Sequence, residues 1–364
     1  MARRRKQKKQ PKPQIKLRSF DATEESRALL QRCAEQGLTL PDFFVDSICG
    51  AYGNDAAKDI VFGIVKAKTR PTTFRVNTLR ATKSEIEQTL DELGIEHETA
   101  PWFDDALCVD ADCSQQIWES PLVTDGKIYL QSYSSMLPPL ALGAKANEDI
   151  LDMCAAPGGK TCELACLAPD AHITACEMHA PRADKLEHNL AKQGAKNIQV
   201  MRLDARKLDE FFSFDRILLD APCAGSGTLV ADCDRTFRGF STDLLRKCAR
   251  SQRALLDRAL TVLKPGGTLI YSTCSVLPQE NEDAVAEALA KHPDCGLIPL
   301  DRYNEPGDNE NNAETAFVNR QNPVTDAVLA GELPLVANNL AGTLTVATTH
   351  LYEGFYLAKI ARKG

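Results

Sequence analysis

The chain has 364 residues, 43% of them hydrophobic, which is enough to bury a sizeable core and to form two domains. No apolar run is long enough to span a bilayer, and the basic N-terminus continues into Pro11 and Pro13 where a signal peptide would be apolar. We therefore expect a cytoplasmic monomer whose 13 cysteines are free thiols. Their spacing does not indicate a metal site.

The net charge of −7 is unevenly distributed along the chain. Nine Lys and Arg residues precede the first acidic residue, Asp21, and this segment has no apolar periodicity. Residues 1–18 are therefore predicted to form a disordered basic tail. Charge alone leaves two interpretations open, an arm that binds nucleic-acid phosphates and a solvated arm that binds nothing.

Residues 19–123 are predicted to form a small α+β domain that begins with helices. Apolar residues recur at helical spacing between residues 24 and 66, and Pro71 interrupts this pattern. Residues 73–78 then alternate as a strand does, and Thr82 with Glu85 forms a capping box that predicts a helix start. Short strands are expected as far as Val123, and residues 124–148 are expected to connect this domain to the next.

From residue 149 onward, strand and helix patterns alternate, which predicts parallel βαβ units in a doubly wound sheet. The predicted strands are 150–153, 173–177, 198–203, 216–220 and 268–272, and the predicted helices are 161–167, 183–193 and 244–263. Two late strands, 343–347 and 355–360, are joined by a short loop that permits only antiparallel pairing. Residues 149–364 are therefore predicted to form a Rossmann-like α/β domain with a mostly parallel sheet and an antiparallel C-terminal strand.

A glycine-containing loop follows the first strand of this domain, at an edge where open α/β sheets bind ligands. It consists of Cys154, Ala155, Ala156, Pro157, Gly158, Gly159 and Lys160. The two glycines permit a turn into a helix and a close approach of backbone to ligand. A phosphate-binding P-loop is the alternative, but Cys154 stands where its first glycine is required.

Acidic residues follow the next two strands of the predicted domain. Glu177 ends the second strand, where an acid can bind both hydroxyls of a ribose, and Asp204 follows the third, where it can accept from an adenine amino group. Strand-end acids are also common turn and cap residues. Together, after this loop, they favour S-adenosylmethionine (SAM), a cofactor with a ribose and an adenine but no phosphate.

Two cysteines follow the fourth and fifth predicted strands. Cys223 comes after Asp220-Ala221-Pro222, and Cys274 after Tyr271-Ser272-Thr273. Most lone cysteines are small buried hydrophobic residues. These two leave neighbouring strands at the edge where the ligand is expected, so they are candidates for covalent chemistry. Asp220 ends an apolar strand and is placed to bind the edge of a flat base.

The order of these three motifs resembles the NOL1/NOP2/Sun family of SAM-dependent RNA cytosine-5 methyltransferases, over about residues 70–360. The resemblance implies that Cys154–Lys160, Glu177, Asp204 and Asp220 contact SAM or its pocket. It also implies that Cys274 is the nucleophile and that Cys223 assists product release. The implied partner is an rRNA or a tRNA. The segment Arg75–Arg80 resembles a strand in the family's RNA-contacting domain.

The implied chemistry follows from the weak nucleophilicity of C5 in cytosine. A thiolate that adds to C6 makes C5 an enamine carbon, which can attack a methyl group. Lys160 is the nearest cation in the motifs and is expected to favour the thiolate, and a base must then remove the C5 proton. Cytosine-5 DNA methyltransferases place the nucleophile in the Pro-Cys motif instead.

Other classes remain as alternatives, including a non-catalytic ribosome-assembly factor that retains SAM and an ATP-binding P-loop protein. Phe237 and Phe240 occupy the segment where the family often has a tryptophan. No C-terminal RNA-binding module is expected after residue 364, and no all-helical domain before the body of the chain. These departures concern the choice of target more than the chemistry.

Overall fold

The computed structural model describes residues 16–304, 317–319 and 321–364. Most of the predicted basic tail, residues 1–15, lies outside the described residues. The helices are α1 (Glu24–Glu35), α2 (Asp42–Tyr52), α3 (Asn54–Lys66), α4 (Lys83–Glu92), α5 (Ser114–Glu119), α6 (Pro121–Thr124), α7 (Tyr133–Leu142), α8 (Gly159–Leu167), α9 (Ala180–Gln193), α10 (Asp234–Phe237), α11 (Thr242–Val262), α12 (Glu282–Lys291) and α13 (Pro323–Leu329). The strands are β1 (Thr72–Val76), β2 (His97–Thr99), β3 (Ala106–Val109), β4 (Ile128–Leu130), β5 (Asp149–Asp152), β6 (His172–Cys176), β7 (Ile198–Met201), β8 (Phe214–Asp220), β9 (Leu263–Thr273), β10 (Cys295–Ile298), β11 (Leu335–Val336), β12 (Leu344–Val346) and β13 (Phe355–Arg362).

A small antiparallel sheet has the strand order β2-β3-β1-β4. Its core is apolar, and α4 packs Ile86 and Leu90 against Phe74 of β1. The predicted capping box at the start of α4 is present, since Glu85 Oε2 accepts from the Thr82 N–H at 2.7 Å. The fourth strand, β4, falls within the segment that was expected to connect the domains. The domain boundaries themselves stay a prediction.

The large sheet has nine strands, in the order β11-β12-β13-β9-β8-β5-β6-β7, with β10 on β13. Strands β5 to β9 pair in parallel, and β13 pairs antiparallel with β9, β12 and β10. The predicted fold class is therefore confirmed, including the antiparallel pairing of the two late strands. From β5 the chain runs outward through β6 and β7, then returns to β8 on the other side. This reversal places a ligand crevice at the carboxyl ends of β5 and β8.

Some elements carry no clear sequence pattern. Helix α7 is buried nearly all round and contains Pro138 and Pro139, so it has neither an amphipathic stripe nor helix propensity. Strand β9 begins at Leu263, five residues before the predicted start, because Pro265-Gly266-Gly267 conceals its first part. None of the described helices is both long enough and apolar enough to cross a membrane.

Buried polar contacts join the small sheet to helices α8 and α9. Asn77, just after β1, donates to the carbonyls of Gly126 (2.7 Å) and Gln193 (2.8 Å). Arg75 is only 1% exposed, and its guanidinium contacts Cys166 Sγ at 3.1 Å and lies 4.0 Å from Glu163. Arg75 and Asn77 belong to the segment that resembles an RNA-contacting strand. Their side chains bind other parts of the protein.

Helices α1 to α3 pack against residues that follow β8 and β9 of the large sheet. Their apolar faces share one core cluster with Leu229 and Leu245 and with Val276 and Leu277. Tyr52 at the end of α2 donates to the Val276 carbonyl at 2.8 Å. The N-terminal helices therefore support the loops that follow β8 and β9.

Candidate active site at the carboxyl edge of the large sheet

The loop after β5 turns at Gly158 and is contacted by Tyr129 and Arg182. Gly158 has φ +109°, a conformation that favours glycine, and it leads directly into α8. A Cβ on Gly159 would lie 2.9 Å from the Tyr129 ring, so the backbone there lies against an aromatic face. Arg182 donates to the Ala156 carbonyl at 2.7 Å, and the loop contains a cis Ala156–Pro157 bond.

Glu177 and Asp204 lie after β6 and β7, and each has an arginine partner. Glu177, 4% exposed, accepts from the His179 N–H at 2.8 Å and lies 3.1 Å from Arg182. Asp204 forms a bidentate pair with Arg206 at 2.7 and 2.8 Å, and these hydrogen bonds lower the pKa of Asp204. Each carboxylate can accept a hydrogen bond from a ligand in addition to those from its arginine. Ribose hydroxyls and the adenine amino group are donors of the kind that a carboxylate accepts.

Cys154 begins the loop after β5 and has several carboxylates near it. Burial, followed by the nearby carboxylates of Asp152, Asp220 and Glu177, raises the pKa of the Cys154 thiol. Asp152 itself accepts from Thr161 Oγ1 at 2.7 Å, and burial raises its pKa to about 6. The Cys154 thiol is therefore neutral at pH 7 and supplies a polarisable wall, not a nucleophile.

Lys160 and Asp220 form a partly buried ion pair beside the thiols. Lys160 Nζ donates to Asp220 Oδ2 at 2.8 Å and to Ser135 Oγ at 2.7 Å, while Ser272 Oγ donates to Asp220 Oδ1 at 2.9 Å. Burial opposes the charge on Lys160, but Asp220 outweighs burial and Cys274 adds to its effect, so the pKa of Lys160 is raised. A cation and a carboxylate are thus available together at the edge of β8 and β9.

The two cysteines of the sequence motifs are in contact. Cys223 Sγ and Cys274 Sγ are 3.2 Å apart, a hydrogen-bonding distance for sulfur. This hydrogen bond, together with burial, raises the pKa of Cys223 well above its usual value. Cys223 is therefore a thiol in the resting protein, in hydrogen-bonding contact with Cys274.

Serine side chains join the loops that carry these two cysteines. Ser226 Oγ and Ser275 Oγ are 2.9 Å apart, and Ser226 Oγ accepts from the Val276 N–H at 2.9 Å. The Gly227 N–H donates to the Cys274 carbonyl at 3.0 Å. The relative position of the two sulfur atoms is thus set by bonds between the loops.

The structure brings Lys160, Asp220, Cys223 and Cys274 together at one edge and places Glu177 and Asp204 farther along the same edge. Sequence reasoning missed Arg182, Arg206 and Gln252, which contact these residues or their loops. Ser135 and Glu280 lie in segments that resemble the family, but their contacts were not predicted. For Gln252 a signal exists, because it is a polar residue on the apolar face of α11. No group of three or more potential metal ligands occurs among the described residues.

Comparison with known proteins assigns the chain to a family. Residues 139–361 match the model of the 16S rRNA methyltransferase RsmB/F family. The chain belongs to this family. Residues 40–116 match the ferredoxin-like domain of RsmF/B-like methyltransferases. The predicted resemblance is thereby confirmed for both parts of this RsmB/F family member.

Curated relatives of this RsmB/F family member carry rRNA methyltransferase names. Ribosomal RNA small subunit methyltransferase F of Shewanella loihica is 35% identical over 271 residues, which is 70% of this chain and 55% of the relative. Methyltransferase B of Shewanella oneidensis is 37% identical over 233 residues, which is 63% of this chain and 53% of the relative. The chain thus spans about half the length of the curated relatives it matches.

Solved structures support the same assignment. A methyltransferase homolog protein from Pyrococcus horikoshii is 32% identical with a TM-score of 0.69, and the match covers 93% of this chain and 99% of that one. NSun6 from Pyrococcus horikoshii, at 21% identity and a TM-score of 0.67, covers 86% and 95% and shows the shared fold.

Proposed function

We propose that this protein is a SAM-dependent RNA methyltransferase that modifies C5 of a cytosine in rRNA through a covalent bond between Cys274 and C6. The observation that carries this proposal is the 3.2 Å contact between Cys223 and Cys274 beside the Lys160–Asp220 pair. A single buried cysteine would fill space, whereas two thiols in contact beside an ion pair provide a nucleophile and a proton carrier.

The residues of the loop and the strand ends fit SAM. Cys154–Lys160 would lie against the cofactor, Glu177 would accept from its ribose hydroxyls and Asp204 from its adenine amino group. When bound there, SAM supplies an electrophilic methyl group. Asp220, held by Lys160 and Ser272, would lie at the boundary between cofactor and target, where its carboxylate would accept from the cytosine amino group.

The two thiols differ in when they lose a proton. The hydrogen bond to Cys274 is the largest cause of the raised pKa of Cys223. Once Cys274 is bonded to C6, its sulfur is an uncharged thioether and this cause disappears. Cys223 is then easier to deprotonate. Once its own proton has passed to solvent, the Cys223 thiolate can accept the C5 proton. The C5–H electrons then form the C5–C6 double bond, the C6–sulfur bond breaks and Cys274 leaves as a thiolate. The hydrogen bond between Cys223 and Cys274 thus keeps Cys223 protonated until Cys274 has attacked C6, so that release follows attack.

An RNA partner is supported by the basic cluster, which we define as Arg235, Arg238, Lys247 and Arg250. All four side chains are exposed, and none forms an ion pair among the described residues. Phe237 and Phe240 belong to the same apolar cluster as Ala224, the residue after Cys223, so the segment that carries Arg235 and Arg238 shares a core with the Cys223 loop. Phosphates bound here would lie next to the site, where the target base must leave its stack to expose C6.

The test compares three cysteine variants on small-subunit rRNA transcripts with labelled SAM. Cys274→Ala should abolish methyl transfer without an adduct, whereas Cys223→Ala should accumulate an RNA–protein adduct that survives denaturing electrophoresis. Cys248→Ala, a buried cysteine on α11, should retain activity. Bisulfite sequencing then locates the modified cytosine. Full activity in both Cys223→Ala and Cys274→Ala would eliminate the covalent mechanism, and an adduct in Cys274→Ala alone would reverse the roles.

A further inference from the structure

Two buried side chains bind the backbone on either side of Cys223. Gln252 Nε2 of α11 donates to the Pro222 carbonyl at 3.0 Å, and the Ala224 N–H donates to Glu280 Oε1 at 2.8 Å. Gln252 Nε2 also donates to Glu280 Oε1 at 3.1 Å, so the two side chains form one unit. Cys223 is the residue between the two bonded peptide groups.

Neither side chain is explained by packing alone. Both are fully buried, and Gln252 lies on the apolar face of α11 between Ala249 and Leu256. Burial raises the pKa of Glu280 to about 7. A buried amide or carboxyl group destabilises a fold unless its hydrogen bonds compensate, and an apolar residue of similar size would pack here without that cost.

Cys223 needs external support because it belongs to no helix or strand. The chain between the end of β8 at Asp220 and the turn at Ser226 is irregular, and two of its peptide groups are fixed by the Gln252–Glu280 pair. Cys274 follows β9 directly, and its carbonyl accepts from the Gly227 N–H instead. Bonds between the loops thus fix Cys274 and the turn after Cys223, whereas the two peptide groups that flank Cys223 depend on Gln252 and Glu280.

We propose that Gln252 and Glu280 are positioning residues that hold the Cys223 thiol against Cys274 for the release step. This inference rests on the proposed function, in which Cys223 accepts the C5 proton. Loss of either side chain frees the peptide beside Cys223 and lets its sulfur move away, whereas Cys274 stays in place to attack. The expected defect is slow release with attack intact, which reproduces the phenotype of Cys223→Ala.

The test uses Gln252→Met and Glu280→Met, which remove the hydrogen bonds while nearly conserving volume, so the fold is retained. Calorimetric SAM binding confirms that each variant is folded. Multiple-turnover methylation should fall about tenfold in both, the rate equivalent of one lost hydrogen bond. Methyl transfer in a single turnover should stay within about threefold of wild type, and the denaturation-resistant adduct should accumulate.

Two controls distinguish positioning from general stability. Glu280→Gln keeps an acceptor oxygen for the Ala224 N–H and should restore turnover and remove the adduct. Gln279→Ala alters an adjacent buried amide that donates to Ser47 Oγ at 3.0 Å, away from the Cys223 loop. It should lower stability without an adduct.

The outcomes separate this inference from the proposed function. If Cys223→Ala accumulates the adduct but a folded Gln252→Met or Glu280→Met does not, the positioning role of that residue is wrong and the covalent mechanism stands. An adduct in Gln279→Ala equal to that of the other two would show that any loosening of the region suffices, which also overturns the role. If Cys223→Ala itself forms no adduct, the proposed function fails first.

Discussion

The partly buried ion pair between Lys160 and Asp220 gives a stability prediction whose size follows from its surroundings. The two charged atoms are 2.8 Å apart, with side chains 14% and 29% exposed. At an effective dielectric constant of about 20 their attraction is about 6 kcal/mol, most of it offset by desolvation. Removing one partner leaves the other charge buried, which costs about 3–5 kcal/mol in a closed interior. Since Asp220 is partly exposed, we expect Asp220→Asn to cost about 2–4 kcal/mol of unfolding free energy.

The unfolding free energy lost in Asp220→Asn should depend on pH in a defined direction. In wild type the pKa of Lys160 is raised above 10.5, so its stabilising contribution is complete below that pH and is lost only as the pH rises through the folded-state pKa. Without Asp220, burial remains as the main influence and lowers this pKa below its unfolded value. The penalty in the variant therefore shrinks as the pH rises. Between pH 7 and 9 the difference from wild type should narrow, by at most about 1.4 kcal/mol per pH unit.

Urea unfolding followed by circular dichroism at pH 7, 8 and 9 measures both quantities. The matched control is Asp243→Asn, which breaks the exposed Asp243–Arg246 pair at the same 2.8 Å distance with side chains 91% and 54% exposed. It should cost less than about 1 kcal/mol at every pH, because solvent screens such pairs. An Asp220→Asn loss no larger than the control, or one that does not change with pH, would refute the account of Lys160 as a buried charge held by Asp220.

The remaining predictions concern ligands. Glu177→Ala and Asp204→Ala should each weaken SAM binding by about 1–3 kcal/mol in calorimetry, because a buried donor on the ligand loses its acceptor, whereas Glu187→Ala on the exposed face of α9 should not; unchanged affinity in both site variants removes the cofactor assignment. Deleting residues 1–18 should weaken RNA binding and lower the slope of log affinity against log salt, with SAM affinity intact. Replacing the four residues of the basic cluster by glutamine in the full chain should also weaken RNA binding and lower the slope of log affinity against log salt. An unchanged slope would mean that RNA phosphates bind elsewhere.

The sequence predicts those parts of the fold that depend on local periodicity. The five parallel strands are recognisable because each is a short apolar run followed by a turn signal, and strand order then places Cys223 and Cys274 at one edge. The packing of α1 to α3 against the loops that carry Cys223 and Cys274 is not predictable, because it joins Tyr52 to Val276 across 224 residues. The pairing of Arg182 with Glu177 and of Arg206 with Asp204 is not predictable either. Several basic residues lie nearby in the sequence, and each could equally face solvent. Helix α7 is concealed by its own prolines.

The 3.2 Å separation of the two sulfur atoms also matters for handling the protein. A disulfide bond is about 2.05 Å long, so a shift of about 1 Å would bring the pair within bonding distance. A peroxide that oxidises both thiols would link Cys274, the proposed nucleophile, to Cys223 and release two molecules of water. If the proposed mechanism holds, preparations stored without a reductant should contain an inactive fraction that regains activity with dithiothreitol. Measured specific activities report the redox history of a sample as well as its intrinsic rate.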